Sequence, residues 1–323
     1  MIRRVLAACA LALIASFPLT DAGAQTLAEN NAALIRDMAA KLWLSPSQVA
    51  AVQKIFSRSS VIGQGNPAVT RHPISEAECR ASGVVASNSR NASICGAPYM
   101  APLYDPSKEG PGDAKSCIDQ FEFPGTPCTY PVVWVKASEA ADLCEAVGKR
   151  LCDAHEWEGA CQGALVEPDY AFSGSVAAMR ASHNAKWQGS ARWSYGAAYR
   201  AGVCGSNSEK SPGCNGGDFR RCGSNTYPTG SFKGCKSPLG VYDLNGNAAE
   251  HMNLPMAPDQ MASEGSRKLG VTEMKGSWFI FDKFRAHPDW CRWRAPFWHG
   301  TSVRSSGSHS NYHLGFRCCK TVK

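Results

Sequence analysis

The 323-residue chain has a formal net charge of +7, with 30 glycines, 19 prolines and 15 cysteines. Its basic residues are dispersed and form no long block, which argues against a nucleic-acid partner. Beyond the N-terminal segment no apolar run reaches the roughly 18 residues of a membrane span.

Arg3 and Arg4, an apolar run from Val5 to Phe17 and the small residues Ala22-Gly23-Ala24 have the order of a cleavable export signal over residues 1–24. The protein is therefore expected to be periplasmic or secreted. Residues 25–60 predict a helical preface. Leu34, Ile35, Met38 and Leu42 make one apolar face, Ser45-Pro46 restarts the helix, and Val49, Val52, Ile55 and Phe56 make a second face. Residues 61–78 are polar and irregular, a linker or an extended arm lying on the domain. The domain itself is placed at 79–323. Within it, Ser138 to Val147 predicts a helix capped by Ser138 and ended by Gly148. Asp153 to Cys161 predicts another, with Asp153 as cap and Glu156 at capping-box spacing. From Trp187 to Pro238 the density of Gly, Ser and Asn predicts backbone held by turns, bridges or ions.

One cysteine falls in the export signal, which leaves an even fourteen, the count of a disulfide framework in an oxidising compartment. By spacing, Cys79 with Cys95, Cys117 with Cys128, Cys204 with Cys214 and Cys222 with Cys235 would each staple a local loop, although spacing does not fix connectivity. A thiolate zinc site is disfavoured. Only Cys318 and Cys319 are close in sequence, and adjacent residues chelate one ion poorly.

Four segments in fixed order resemble the formylglycine-generating enzyme family, the sulfatase-modifying-factor domains. They are Pro131-Val132-Val133-Trp134-Val135, the stretch AADLCEAVGKRLCDAHEWE from Ala140 to Glu158, GVYDLNGNAAE from Gly240 to Glu250, and Lys275-Gly276-Ser277-Trp278 closed by Gly315-Phe316-Arg317-Cys318. The resemblance implies a disulfide-rich α+β domain, an irregular C-type-lectin-like fold with little regular secondary structure. In the enzyme branch oxygen oxidises a substrate cysteine to formylglycine, and two active-site cysteines bind copper(I) and do the thiol chemistry; soft thiolates suit that ion. Counted from Ser277, those positions are Ile280 and about Arg285, so the resemblance implies no copper here. It also implies bridges from Cys144 to Cys318 and from Cys161 to Cys291. Cys152 and Cys319 neighbour those bridges and are expected to form a further one.

The family has a calcium site at the third segment. Carried over, its ligands are the Asp243 side chain, the Gly246 and Ala248 carbonyls and Glu250; the other reading is a tight turn at Asn245-Gly246 with Glu250 paired locally. His251, His287, His299, His309 and His313 crowd the last third. They line a pocket or metal site with Asp282, Asp289 or Glu250, or they are scattered loop histidines, the reading the sequence favours. Trp278, Trp290, Trp293, Trp298, Phe279, Phe281, Phe284 and Phe297 alternate with Arg285, Arg292 and Arg294. They make either a clamp for a peptide or saccharide, or a core with snorkelling arginines. Groove candidates are Ser277, Arg292, Arg294, His299 and Asn311. Three functions compete: an accessory or maturation factor binding a protein or peptide without copper-thiol chemistry, an oxidoreductase acting by another route, and a calcium-stabilised lectin-like or structural module.

Overall fold

Thr26 and Ser45 begin the first two helices in the same way. In the computed structural model, which describes residues 25–84, 89–214, 217–295 and 300–322, each hydroxyl accepts a backbone N–H three residues on, and Glu29 or Gln48 returns the bond. Helix α1 (Leu27–Lys41) and α2 (Pro46–Phe56) bury Leu34, Ile35, Met38, Val52 and Phe56. These side chains share one cluster with Val135, Ala140, Ala141 and Leu143 around helix α5 (Ala137–Ala146). The residues that follow run along the domain surface. Gly63 and Val133 exchange backbone hydrogen bonds, Gln64 donates to the Tyr130 carbonyl, and His72 stacks on Tyr130 at 3.5 Å. The segment proposed as export signal, residues 1–24, lies outside the described residues.

Helix α5 starts one residue earlier than expected, and its cap is Lys136. The Glu139 carboxylate accepts the Lys136 N–H, which leaves Ser138 inside the first turn. Helix α6 (Ala154–Gln162) has Asp153 at its cap, and Glu156 returns the capping bond. The Asp153 carboxylate itself points away, to Asn253, Ala262 and Ser263, and so ties α6 to a distant loop. Short helices α3 (Glu76–Ala81) and α4 (Ser89–Cys95) precede this region, and α7 (Val176–Trp187) follows it. The α7 helix was not foreseen. Its inward face is Met179, Arg180 and His183, so it carries no apolar stripe to read.

Two sheets complete the domain. One has the order β1 (Met100–Leu103), β2 (Ser116–Asp119), β7 (Cys318–Thr321), β3 (Arg150–Leu151), all antiparallel. The other has β4 (Ala249–Leu254) at its centre, antiparallel to β5 (Val271–Lys275) and parallel to β6 (Leu314–Phe316). The chain passes from the second sheet to the first at a single residue, Arg317. The architecture is α+β and rich in disulfides. No helix of the described residues is long and apolar enough to cross a membrane.

All fourteen cysteines after residue 24 are bridged. Cys144 joins Cys318, Cys152 joins Cys319 and Cys161 joins Cys291. The four local staples are corrected. Cys79 joins Cys128, and Cys95 joins Cys117, because α4 packs under β1 and β2 whereas α3 sits on the Cys128 loop. Cys204 joins Cys235 around an inner Cys214–Cys222 ring, a nested arrangement where a sequential one was expected.

The adjacent bridges at Cys318 and Cys319 are not equal in value. Alone, either would close a loop of more than 160 residues. With Cys144–Cys318 intact, Cys152–Cys319 closes a ring of only about ten, for which chain entropy gives roughly 2–3 kcal/mol rather than about 5. Replacing Cys152 and Cys319 together by alanine is therefore expected to cost about 2–3 kcal/mol in urea unfolding. A loss near 5 kcal/mol would mean that the neighbouring bridge does not share the constraint.

Candidate functional site

The turn between Asp243 and Glu250 is the most charged part of the interior. Asp243 and Asn247 both have left-handed backbone, at φ 58° and 59°, conformations that Asp and Asn tolerate better than most residues. The Asp243 Oδ2 accepts the Gly230 N–H at 2.6 Å. Glu122, which precedes the cis Pro124 by two residues and was not singled out in the sequence, accepts the Ala248 N–H and the Asn247 amide at 2.7 and 2.6 Å. Glu250 was expected to be a calcium ligand. Arg317 holds it bidentately at 2.6 and 2.7 Å, and Trp157 donates to it as well.

Glu122, Asp243 and Glu250 thus surround one guanidinium in a fully buried site. Burial, then the charges of Asp243 and Glu250, push the Glu122 carboxyl well above its usual range. Burial raises Asp243 to about 7, with Glu250 adding to the shift. This excess of buried negative charge is of the kind that a hard, oxygen-seeking cation relieves.

Next to this turn, Ser277 is buried. Its hydroxyl accepts the Gly246 N–H and donates to the Asp289 carboxylate, both at 2.9 Å. Asp289 also receives the Trp193 indole N–H, and its carbonyl receives the Asn245 amide. Ser277 therefore ties two loops together. Ile280 packs into the apolar cluster of Trp134, Tyr227, Phe279 and Phe281. Arg285 is on the surface, its guanidinium 3.7 Å over the Tyr199 ring. The position of the first copper cysteine in the enzyme branch is thus apolar core here, and that of the second is a surface arginine.

The sequence placed Arg292 and Arg294 in the same groove, and the structure does not. Both turn inward to Glu158. Arg294 reaches its oxygens at 2.9 and 3.2 Å, Lys275 lies at 3.1 Å, and Arg292 lies at 3.8 Å. His183 on α7 bridges Asp169 and the Arg292 carbonyl at 2.8 Å each, and Arg180 on the same helix pairs with Glu273 at 2.7 Å. Burial alone would raise the Glu158 carboxyl, but Arg294, Lys275 and His183 outweigh it and hold it far below the usual range. Arg292 Nη2 and Arg294 Nη1 have no hydrogen-bond acceptor among the described residues, yet the two guanidinium groups stack over Trp187 at 4.2 Å and Tyr170 at 4.9 Å. The cluster is a scaffold. Asn311 lies elsewhere, its oxygen turned to the Tyr312 N–H, and His299 falls outside the described residues, as do Phe297 and Trp298.

What does converge is a set of rings around Trp278. His313 stacks on it at 4.8 Å, His287 lies at 5.2 Å and Phe281 at 5.6 Å, and Trp293 stacks on the far side of His287 at 4.6 Å. The alternation Arg292-Trp293-Arg294 explains the division: the arginines face the Glu158 cluster and Trp293 faces the histidines. Tyr312 meets His313 edge-on. Burial holds the His313 imidazole down to about 3, reinforced by His309, His287, Lys210 and His251. His251 is held to about 4, chiefly by burial. Four of the five C-terminal histidines therefore share one neighbourhood, where scattered loop positions were expected. Residues far apart in sequence meet here because β4, β6 and the Ser277 loop adjoin. No three of these imidazoles come close enough to bind one ion.

A family model described as the sulfatase-modifying factor enzyme 1-like domain matches residues 114–322. No curated protein sequence matches the chain.

Proposed function

Because the chain belongs to the sulfatase-modifying factor family, we propose that it is an exported, formylglycine-generating-enzyme-like protein that binds a protein or peptide as an accessory or maturation factor without copper-thiol chemistry. The observation that carries this reading is the fate of the reactive positions. Ile280 is core, Arg285 is at the surface, and all fourteen cysteines after residue 24 are spent in bridges. No thiolate pair remains to bind copper(I) or to exchange with a substrate thiol. The convergence of Trp278, His287, His313 and Trp293, four rings from three separate segments, supports binding. The bridges and the absence of any membrane-crossing helix among the described residues are compatible with a periplasmic or secreted location.

Calcium belongs to the same reading. Asp243 and the Gly246 and Ala248 carbonyls would hold it, with Glu122 supplying further negative charge and Glu250 anchored on Arg317. A bound ion would neutralise buried carboxylates and stiffen the turn; no chemical step requires it.

With copper(I), oxygen and a cysteine-containing peptide, the purified protein is expected to form no aldehyde, and a thiol reagent under denaturing, non-reducing conditions should label no cysteine after residue 24. Aldehyde formation, or two labelled thiols, would overturn the reading.

A further inference from the structure

Among the described residues, two polar atoms in the ring cluster have no hydrogen-bond partner. Trp278 is 5 % exposed, and its Nε1 is buried without a hydrogen-bond acceptor. His313, stacked on the same indole, has a buried Nδ1 in the same condition. A buried polar atom left unsatisfied costs roughly 1–3 kcal/mol, so two on adjacent stacked rings mark a place where something else supplies the missing atoms.

The groups nearby say what that something is. The titratable neighbours that act most on His313 are His309, His287, Lys210 and His251, none of them an acid. The carboxylates of this region are already committed. Asp289 is taken by Ser277 and Trp193, and Asp282 by the Tyr199 hydroxyl and the Gly202 N–H. Among the described residues the ring cluster therefore presents two unpaired N–H donors with no uncommitted carboxylate beside them. Trp278, Phe281, His287 and Trp293 add flat apolar walls.

We propose that Trp278 and His313 form a carboxylate-accepting subsite, in which the indole Nε1–H and the imidazole Nδ1–H each donate to the ligand while the surrounding rings stack on its apolar part. The proposal rests on the peptide-binding reading above and deepens it by naming the group that is recognised. The carboxylate can be a chain terminus or an acidic side chain, since both present the same two oxygens.

Three dipeptides separate these possibilities: acetyl-Ala-Phe with a free terminus, acetyl-Asp-Phe-amide, and acetyl-Ala-Phe-amide, which has no carboxylate. Each is titrated into the whole ¹⁵N-labelled protein at constant ionic strength. The Trp278 indole N–H resonance is followed, assigned through Trp278→Phe, which keeps a stacking ring and removes only the donor. At least one carboxylate peptide is expected to bind tenfold or more tighter than the neutral one, with a saturable downfield shift of that resonance; the tighter of the two identifies the source. Trp278→Phe should lose most of the tenfold preference. Equal binding of all three peptides, or a preference that leaves the Trp278 resonance unmoved, overturns the subsite while peptide binding stands. If none of the three binds, both the subsite and the peptide reading are overturned.

Discussion

Asp243→Asn is expected to stabilise the metal-stripped protein by on the order of 4 kcal/mol at pH 8 and to change it little near pH 4. An unfolded aspartate ionises near its model value of 3.8, whereas buried Asp243 does so at about 7. Between those values the folded state binds the proton that the unfolded state has released. Stability therefore falls as pH rises through this window and is level above it. At pH 8 the native protein carries the full cost of an ionised, buried Asp243, and the asparagine variant carries none. Near pH 4 the two side chains are close to isosteric and both are neutral. Asn also accepts the Gly230 N–H and tolerates the left-handed backbone at this position. Glu122, raised partly by Asp243, ionises more readily in the variant and adds to the effect.

Calcium reverses the outcome. Millimolar calcium should stabilise the native protein at pH 8 and do much less for Asp243→Asn, because the ion, when bound, takes over the charge that burial penalises. Urea unfolding of both proteins, at both pH values, in chelator and in calcium, gives the full set. If the variant is no more stable than the native protein at pH 8 in chelator, the turn is not the strained acidic site described here. If calcium leaves both unchanged, the turn is not a calcium site.

The second large effect is at the scaffold. Glu158→Gln keeps shape and removes the one carboxylate that Arg294 and Lys275 share and Arg292 approaches. Breaking a buried pair from one side typically costs about 3–5 kcal/mol, because the remaining charges cannot return to water. With three cations stranded, the loss is expected at or above the upper end of that range. Asp169, also held far below its usual range despite burial, remains near Arg294 and limits the damage. A loss under 1 kcal/mol would show that the cluster is held by packing alone. The ring cluster lies on the other side of Trp293, so a folded Glu158→Gln protein should retain the Trp278–His313 subsite.

How far the sequence reached depended on how local each signal was. Helix starts at Ser45 and Asp153 were legible in outline because caps are written in four consecutive residues, whereas Thr26, which caps α1 in the same way, was not read from the sequence. Even so, Lys136 rather than Ser138 begins α5, since the Glu139 side chain, not a hydroxyl, closes that end. The α7 helix was invisible because one methionine is its only buried apolar residue, beside Arg180, whose partner Glu273 lies 93 residues on, and His183, which links Asp169 to the Arg292 carbonyl 109 residues on. The three long bridges followed from family order, whereas spacing misled for the other four, because loops cross before they close. Ile280 was recognised as the wrong residue for copper, yet only packing shows that it is core. The groove candidates mixed separate sites: Arg292 and Arg294 both turn to Glu158, away from Ser277 and Asn311; the alternation of Arg292, Trp293 and Arg294 was the available signal, and it separates ion cluster from ring cluster.

Strand β7 lies between β2 and β3, inside its sheet, although it follows both in chain order. This interior strand is therefore synthesised after both of its neighbours. Until residues 318–321 arrive, β2 and β3 have no strand between them, and Cys144 and Cys152, only eight positions apart, lack the partners they will finally hold. A bridge made between them too early would leave Cys318 and Cys319 with no correct place to go. The protein's yield should consequently depend on the timing of oxidation more than on its strength: a disulfide isomerase, or oxidant supplied only after chain release, should rescue material that rapid oxidation traps.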